Sequence, residues 1–221
     1  EVDLQKNINQ TTEQVKYGTV NVPSSTIPLA TDAEYWLSQF TELDPDYPIK
    51  AQSHYTWEIE NFDSLHEGKC TSPTFKCGDT EFQILMFPKG NDNNYLALYL
   101  APLPKKITRQ NSLPDAQETI DPTWYRCVQF GFVIWNPEHP EVNAFNKSQH
   151  RFNGEEPDWG FSTFTDLGNV FPQVRPNQQC PAGIGFMDSK HKVNITCYVK
   201  LIDDVTGVLW HNLVNYDSKK E

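Results

Sequence analysis

Between Ser53 and Ile202 the chain alternates apolar and polar residues with a period of two. Tyr55, Trp57 and Ile59 alternate with Thr56, Glu58 and Glu60, and Val193, Ile195, Cys197, Val199 and Leu201 alternate with Asn194, Thr196, Tyr198 and Lys200. Successive side chains of a strand point to opposite faces, so each run predicts a strand with one face on a core and one in water. Phe82 to Phe87, Tyr95 to Leu100 and Cys127 to Trp135 are apolar on both alternations, which predicts central strands covered on both sides. No helical run of ten or more residues separates these segments, which argues against parallel βαβ units. The expected fold is all-β, an antiparallel β-sandwich over residues 51–205, with Trp57, Ile84, Phe130, Ile134 and Ile195 buried.

Residues 1–50 break the pattern. They hold eight acidic residues against three lysines and include Pro23, Pro28, Pro45 and Pro48, an extension without strand periodicity. Thr31-Asp32 is a cap for a short helix over 32–43, on which Trp36, Leu37 and Phe40 form one apolar stripe. So short a helix is marginal alone, so the stripe is expected to dock. Residues 102–122 and 172–186 are polar, rich in Pro or Gly and without strand periodicity, and are expected as surface insertions. Residues 206–221 start strand-like and end charged, as a lead-out toward a further domain.

Charge and cysteine content narrow the chemistry. Eighteen basic against twenty-nine acidic residues give a net charge of −11 over 221 residues, which opposes binding to nucleic acid or an anionic membrane. No apolar run approaches the roughly 18 residues a membrane helix needs. The first ten residues lack a signal-peptide pattern and a starting Met, as in a trimmed fragment. Five cysteines in no paired zinc-type spacing point to free thiols in a reducing compartment, cytoplasm or nucleus. The N-x-S/T tripeptides at Asn9, Asn146 and Asn194 argue the other way, but Asn194 lies in a strand-like run.

Catalytic constellations are hard to find. His139, His150 and His191 have no zinc-ligand spacing, and Cys127 and Cys197 sit at alternating strand positions that suit small buried hydrophobes. Glu155, Glu156 and Asp158 have the character of a solvated acidic loop, and Gly183-Ile184-Gly185 is too short for a phosphate cradle. No catalytic residue, no metal site and no cofactor is expected. One segment stands apart, Glu155-Glu156-Pro157-Asp158-Trp159-Gly160-Phe161-Ser162-Thr163-Phe164. Either Trp159, Phe161 and Phe164 cap the core, or Gly160 admits another backbone while the aromatic faces and the Asp158 carboxylate recognise an extended peptide.

Four segments in order, Tyr55 to Phe62, Ser72 to Phe75, Phe82 to Pro88 and Asp158 to Phe161, resemble the signature of the MATH (TRAF-homology) domain over about residues 51–205. Within that family the likeness is to the N-terminal domain of the herpesvirus-associated ubiquitin-specific protease and its fungal ubiquitin-specific protease 15 counterparts. The resemblance implies an eight-stranded antiparallel sandwich that recognises substrates of a cysteine deubiquitinase and is not itself catalytic. It implies a site for short Pro/Ala-x-x-Ser peptides along a sheet edge. Asp158 would accept the peptide serine hydroxyl, Trp159 would pack on the small residue at the motif's start, and Gly160 would supply backbone contact. Phe161 and Leu98 would complete the site, with Lys89 as its basic residue. Lysine cannot form the bidentate fork of arginine, so peptide preference is expected to shift. The implied partners are such peptides and the protease's own catalytic domain after residue 221, in a monomer. MATH adaptors of ubiquitin ligases or of receptor signalling are the alternative. The absence of heptads in residues 1–50 disfavours a coiled-coil trimer. An enzyme or lectin on a sandwich is a third reading.

Overall fold

Strands dominate the computed structural model, which describes residues 28–66, 68–90, 94–104, 106–108, 118–171 and 183–211. In chain order they are β1 (Ile49–Ile59), β2 (Cys70–Thr71), β3 (Phe75–Cys77), β4 (Thr80–Phe87), β5 (Tyr95–Pro102), β6 (Lys106–Thr108), β7 (Glu118–Ile120), β8 (Tyr125–Asn136), β9 (His139–Asn153), β10 (Trp159–Asp166) and β11 (Val193–Ile202). Two short helices, α1 (Ala33–Ser38) and α2 (Leu167–Val170), accompany them. Residues 1–27, with the Asn9 tripeptide, and most of the 172–186 connection lie outside the described residues, as does the end of the tail. Among the described residues no helix is long and apolar enough to cross a membrane.

Two antiparallel sheets face each other, β1-β11-β8-β9 and β10-β5-β4-β2, with β3 also paired to β4. Cys70 lies opposite Met86 and Phe75 opposite Phe82, so β2 and β3 are successive halves of one strand along the same edge of β4. In the break, the Ser72 N–H donates to the Ile84 carbonyl, and the Ile84 N–H donates to the Ser72 hydroxyl at 2.9 Å. Pro73, which has no N–H to give a ladder, follows at once. With β2 and β3 taken as one, the two facing sheets hold eight strand positions, the sandwich expected from the period-two pattern.

The inner faces follow the alternation. Phe82, Ile84 and Met86 of β4, Leu96, Leu98 and Leu100 of β5, Val128, Phe130, Phe132 and Ile134 of β8, and Val193, Ile195, Cys197, Val199 and Leu201 of β11 form one buried cluster. Trp57 packs against this cluster and keeps some exposure, because β1 is the outer strand of its sheet. The outer face of β4 is also half-open, so its second apolar alternation is not sealed as the sequence predicts. That of β8 is sealed: every residue from Cys127 to Asn136 is buried.

Residues 28–41 make that seal. Ala30, Trp36 and Phe40 pack on Val133, Trp135 and Tyr198 in a second buried cluster, with Leu37 at its margin. The Ala30 N–H donates to the Pro140 carbonyl and the Tyr198 hydroxyl to the Ala30 carbonyl, both at 3.0 Å. Gln129 Nε2 donates to the Thr41 carbonyl and Asn143 Nδ2 to the Pro28 carbonyl, both at 2.9 Å. Asp32 caps α1 by accepting the Tyr35 N–H. The helix ends at Ser38, well short of the 32–43 suggested by the sequence, because the Gln39 and Thr41 carbonyls are taken by Lys147 and Gln129 of the sheet. The 102–122 insert likewise carries more order than its composition implies, since β6 and β7 pair within it.

Strands β9 and β10 are consecutive and belong to different sheets, each at the end of its sheet. They meet along one side of the sandwich, where Asn146 Nδ2 of β9 donates to the Phe164 carbonyl of β10 at 3.3 Å.

Candidate functional site

A tight turn delivers the chain from β9 into β10. The Asn153 side chain accepts the N–H groups of Glu155 and Glu156 at 2.8 and 2.9 Å, and the Asn153 N–H donates back to the Glu156 carbonyl. Pro157 follows, and Asp158 stands exposed just before the strand. In β10, Trp159, Gly160 and Phe161 lie opposite Leu100, Tyr99 and Leu98 of β5. The pairing then slips: Phe161 faces Leu98 but Thr165 faces Leu96, so Ser162 to Phe164 form a bulge.

Trp159 is 42% exposed, although its register position looks inward. Its ring lies flat on the imidazole of His150, centroids 4.2 Å apart and planes 2° from parallel. The stack closes the seam between the sheets where β9 and β10 meet and leaves part of the indole in water. Phe161 does the reverse, packing on Phe130, Phe132 and Phe164. Core capping therefore describes Phe161 and Phe164, and Trp159 remains at the surface.

Two of the residues that the resemblance assigns to a peptide site, Leu98 and Lys89, lie away from Asp158 and Trp159, and Gly160 stays beside Trp159 in β10. Leu98 is completely buried in the inter-sheet cluster, so its side chain cannot touch a peptide on the outer edge of β10. A strand position inside the period-two pattern carries no mark of which sheet edge it serves. A Cβ on Gly160 would sit 2.1 Å from the Leu98 carbonyl oxygen and 2.6 Å from the Tyr99 Cα. The backbone that Gly160 admits is thus the chain's own β5. Lys89 is exposed in the turn after β4. Since Trp159 lies opposite Leu100 and Leu100 opposite Ile84, the end of β4 at Phe87 is three residues further along, roughly 10 Å at strand rise, and two strands over, roughly 10 Å, and Lys89 lies in the turn beyond it. The structure brings Asp158 and Trp159 together and leaves Lys89 apart.

His150 is the neighbour that sequence reasoning missed, having been weighed only as a zinc ligand. Its side chain is 12% exposed, its ring meets Phe152 edge-on at 5.0 Å, and Nε2 lies 3.5 Å from the Glu156 carboxylate without forming a hydrogen bond. Burial holds the imidazole below its ordinary value of 6.5, with Glu156 offsetting part of the effect. The available signal was the two-residue spacing of His150 and Phe152 on one strand face, nine and seven residues before the tryptophan. Among the described residues no group of three His, Cys, Asp or Glu is placed to hold a metal.

A family model for the MATH domain matches residues 54–173. The chain belongs to the MATH family. The match runs from β1 through β10, and the MATH sheet closes with β11, which lies beyond it and pairs with both β1 and β8. Ubiquitin carboxyl-terminal hydrolase 15 of Saccharomyces cerevisiae is 39% identical over 180 residues, 81% of this chain and 14% of that protein. The Schizosaccharomyces pombe hydrolase of the same name is 36% identical over 212 residues, 90% of this chain and 18% of that protein. Ubiquitin C-terminal hydrolase 12 of Arabidopsis thaliana is 32% identical over 76% of the chain and 12% of its own length. This MATH domain thus resembles a small part of much longer ubiquitin hydrolases. A solved TRAF5 chain from Notothenia coriiceps aligns with 69% of this chain and 73% of its own, at 14% identity and a TM-score of 0.38.

Proposed function

We propose that this chain is a non-catalytic recognition domain of a ubiquitin-specific protease and takes an extended peptide along the outer edge of β10. The observation that carries the reading is the position of β10: among the described residues it pairs with β5 on one side only, and its entry presents an exposed carboxylate, Asp158, beside a half-exposed indole, Trp159. A strand edge offers N–H and C=O groups to an added strand, and neighbouring side chains select its sequence. Asp158 suits a serine hydroxyl and the open face of Trp159 a small proline or alanine, which is the Pro/Ala-x-x-Ser class. Leu98 has no part in this site, and Lys89 enters only for a peptide that runs on past the bulge. The contact would be small, below about 1,200 Å² in total, and correspondingly weak. Segments of ubiquitinated or regulatory proteins are the expected ligands, and the enzyme's own catalytic domain is the expected covalent neighbour. A monomer in the cytoplasm or nucleus fits the four free cysteines among the described residues.

The test is calorimetric titration of a Pro/Ala-x-x-Ser peptide, with thermal melts on the same samples. Trp159→Ala should weaken binding by about 2 kcal/mol, some thirtyfold, and Asp158→Ala by roughly 1.5 to 3 kcal/mol, both with the fold intact. Unchanged affinity in a folded Asp158→Ala protein would overturn the site.

A further inference from the structure

Among the described residues the ring stacked on Trp159 is the imidazole of His150. The imidazole of His150 covers one face of the indole at 4.2 Å and is itself backed edge-on by Phe152. Opposite His150 on β8 is Val128, and β10 presents Trp159, so neither neighbouring strand brings a charge to the ring. Among the described residues the charged group that faces it is Glu156, from the turn that delivers Asp158.

We propose that His150 is the positioning residue for Trp159: it holds the indole flat and half-exposed while the imidazole is uncharged, and releases it when the imidazole takes a proton. This rests on the peptide-edge reading only for its consequence, that acid weakens peptide binding. The physical basis is local. Nε2 is buried with no hydrogen-bond partner, a position that suits an uncharged ring and penalises an imidazolium. Two effects oppose this, the attraction of imidazolium for an indole face and for Glu156. Glu156 is half-exposed and its attraction is screened by water, so burial prevails and the folded protein holds the ring below the ordinary value of 6.5. For a histidine shifted in this direction, the unfolded or expelled ring binds protons more readily than the stacked one. The stack therefore keeps its full stability above 6.5 and loses it progressively as the pH falls below that value. Peptide affinity should fall in the same window, with Trp159 no longer held.

Two readouts test this. The first needs no peptide: the fluorescence of Trp159, isolated as the difference between wild type and Trp159→Phe, is followed from about pH 7.5 to about pH 5.5. A transition is expected in wild type and none on a His150→Phe background, which keeps a stacking ring that cannot titrate. Glu156→Gln removes the opposing charge and should move the transition to lower pH. The second readout is the affinity for a Pro/Ala-x-x-Ser peptide. His150→Ala should bind roughly three- to tenfold more weakly at the upper pH, and His150→Phe should restore wild-type affinity. On acidification wild type should weaken several-fold while His150→Phe holds steady. The same Trp159 signal across the pH range in wild type and His150→Phe would overturn the proposal. If wild type binds no peptide at either pH, the peptide-edge reading falls, while the Trp159 transition still decides the role of His150.

Discussion

At the scale of single residues, the sequence around β10 sorts into two kinds of contribution that its one-letter pattern merges. Gly160 is required by the chain's own geometry: the two atoms a Cβ would strike, the Leu98 carbonyl oxygen and the Tyr99 Cα, are backbone and cannot swing aside. Gly160→Ala is expected to destabilise the domain by about 2 kcal/mol or more, measured as a lower denaturant midpoint. Any loss of peptide binding in that variant would then track unfolding, whereas Trp159→Ala would lose binding with its melting temperature held. A Gly160→Ala protein with an unchanged midpoint would contradict the β5–β10 pairing described here. Asp158 and Trp159 were legible as candidates because an acid and a large aromatic beside a glycine depart from the strand pattern. The burial of Leu98 agrees with the Tyr95–Leu100 run, apolar on both alternations, and it was the resemblance that placed this residue in the peptide site.

At the scale of elements, the segment 28–41 shows how tertiary contact overrides local preference. A six-residue helix has no stability of its own, and α1 exists because Trp36 and Phe40 are buried on β8 and β11. The apolar stripe announced that something had to cover it, but its partner, the outer alternation of β8, lies about a hundred residues away in sequence. Removing the largest contact should show the cost. Trp36→Ala is expected to lower stability by about 3 kcal/mol in urea or guanidinium titrations. Limited proteolysis of wild type should leave residues 28–41 attached to the sandwich; their early loss without a change in melting temperature would mean that the cover contributes nothing.

At the scale of the whole molecule, a buried ion pair ties the end of the fold to its middle. Arg151 of β9 contacts Asp204 at 2.5 Å, and its guanidinium lies 3.7 Å from the Tyr125 ring centroid. Asp204 also accepts the N–H groups of Thr206, Gly207 and Leu209, folding the segment after β11 back onto the sheet. Asp204→Asn would leave Arg151 buried without its counter-charge and is expected to cost about 3 to 5 kcal/mol. Burial pushes the Asp204 carboxyl up, but hydrogen bonds with Thr206, Arg151 and Leu209, with the charge of Arg151, outweigh it and hold it below 3.8. A carboxylate depressed in the folded state gives stability that is fully present above 3.8 and is lost as the pH falls through the lower folded value. The stability gap between wild type and Asp204→Asn should therefore be constant at neutral pH and narrow below about pH 4. A gap independent of pH down to complete acid unfolding would show that the pair adds nothing to stability.

Sequence alone determined the two-layer antiparallel architecture, because period-two burial is a property of each strand in isolation. It also determined the family likeness, carried by four short segments in order, and the adjacency of Asp158 and Trp159. The tertiary structure decided what depends on contacts remote in the chain. It matched residues 28–41 to the outer face of β8, joined Arg151 to Asp204, and set the ring of His150 against Trp159. The physical reason is the same in each case: burial and stacking are pairwise, and one strand's pattern shows a face in need of a partner without naming the partner.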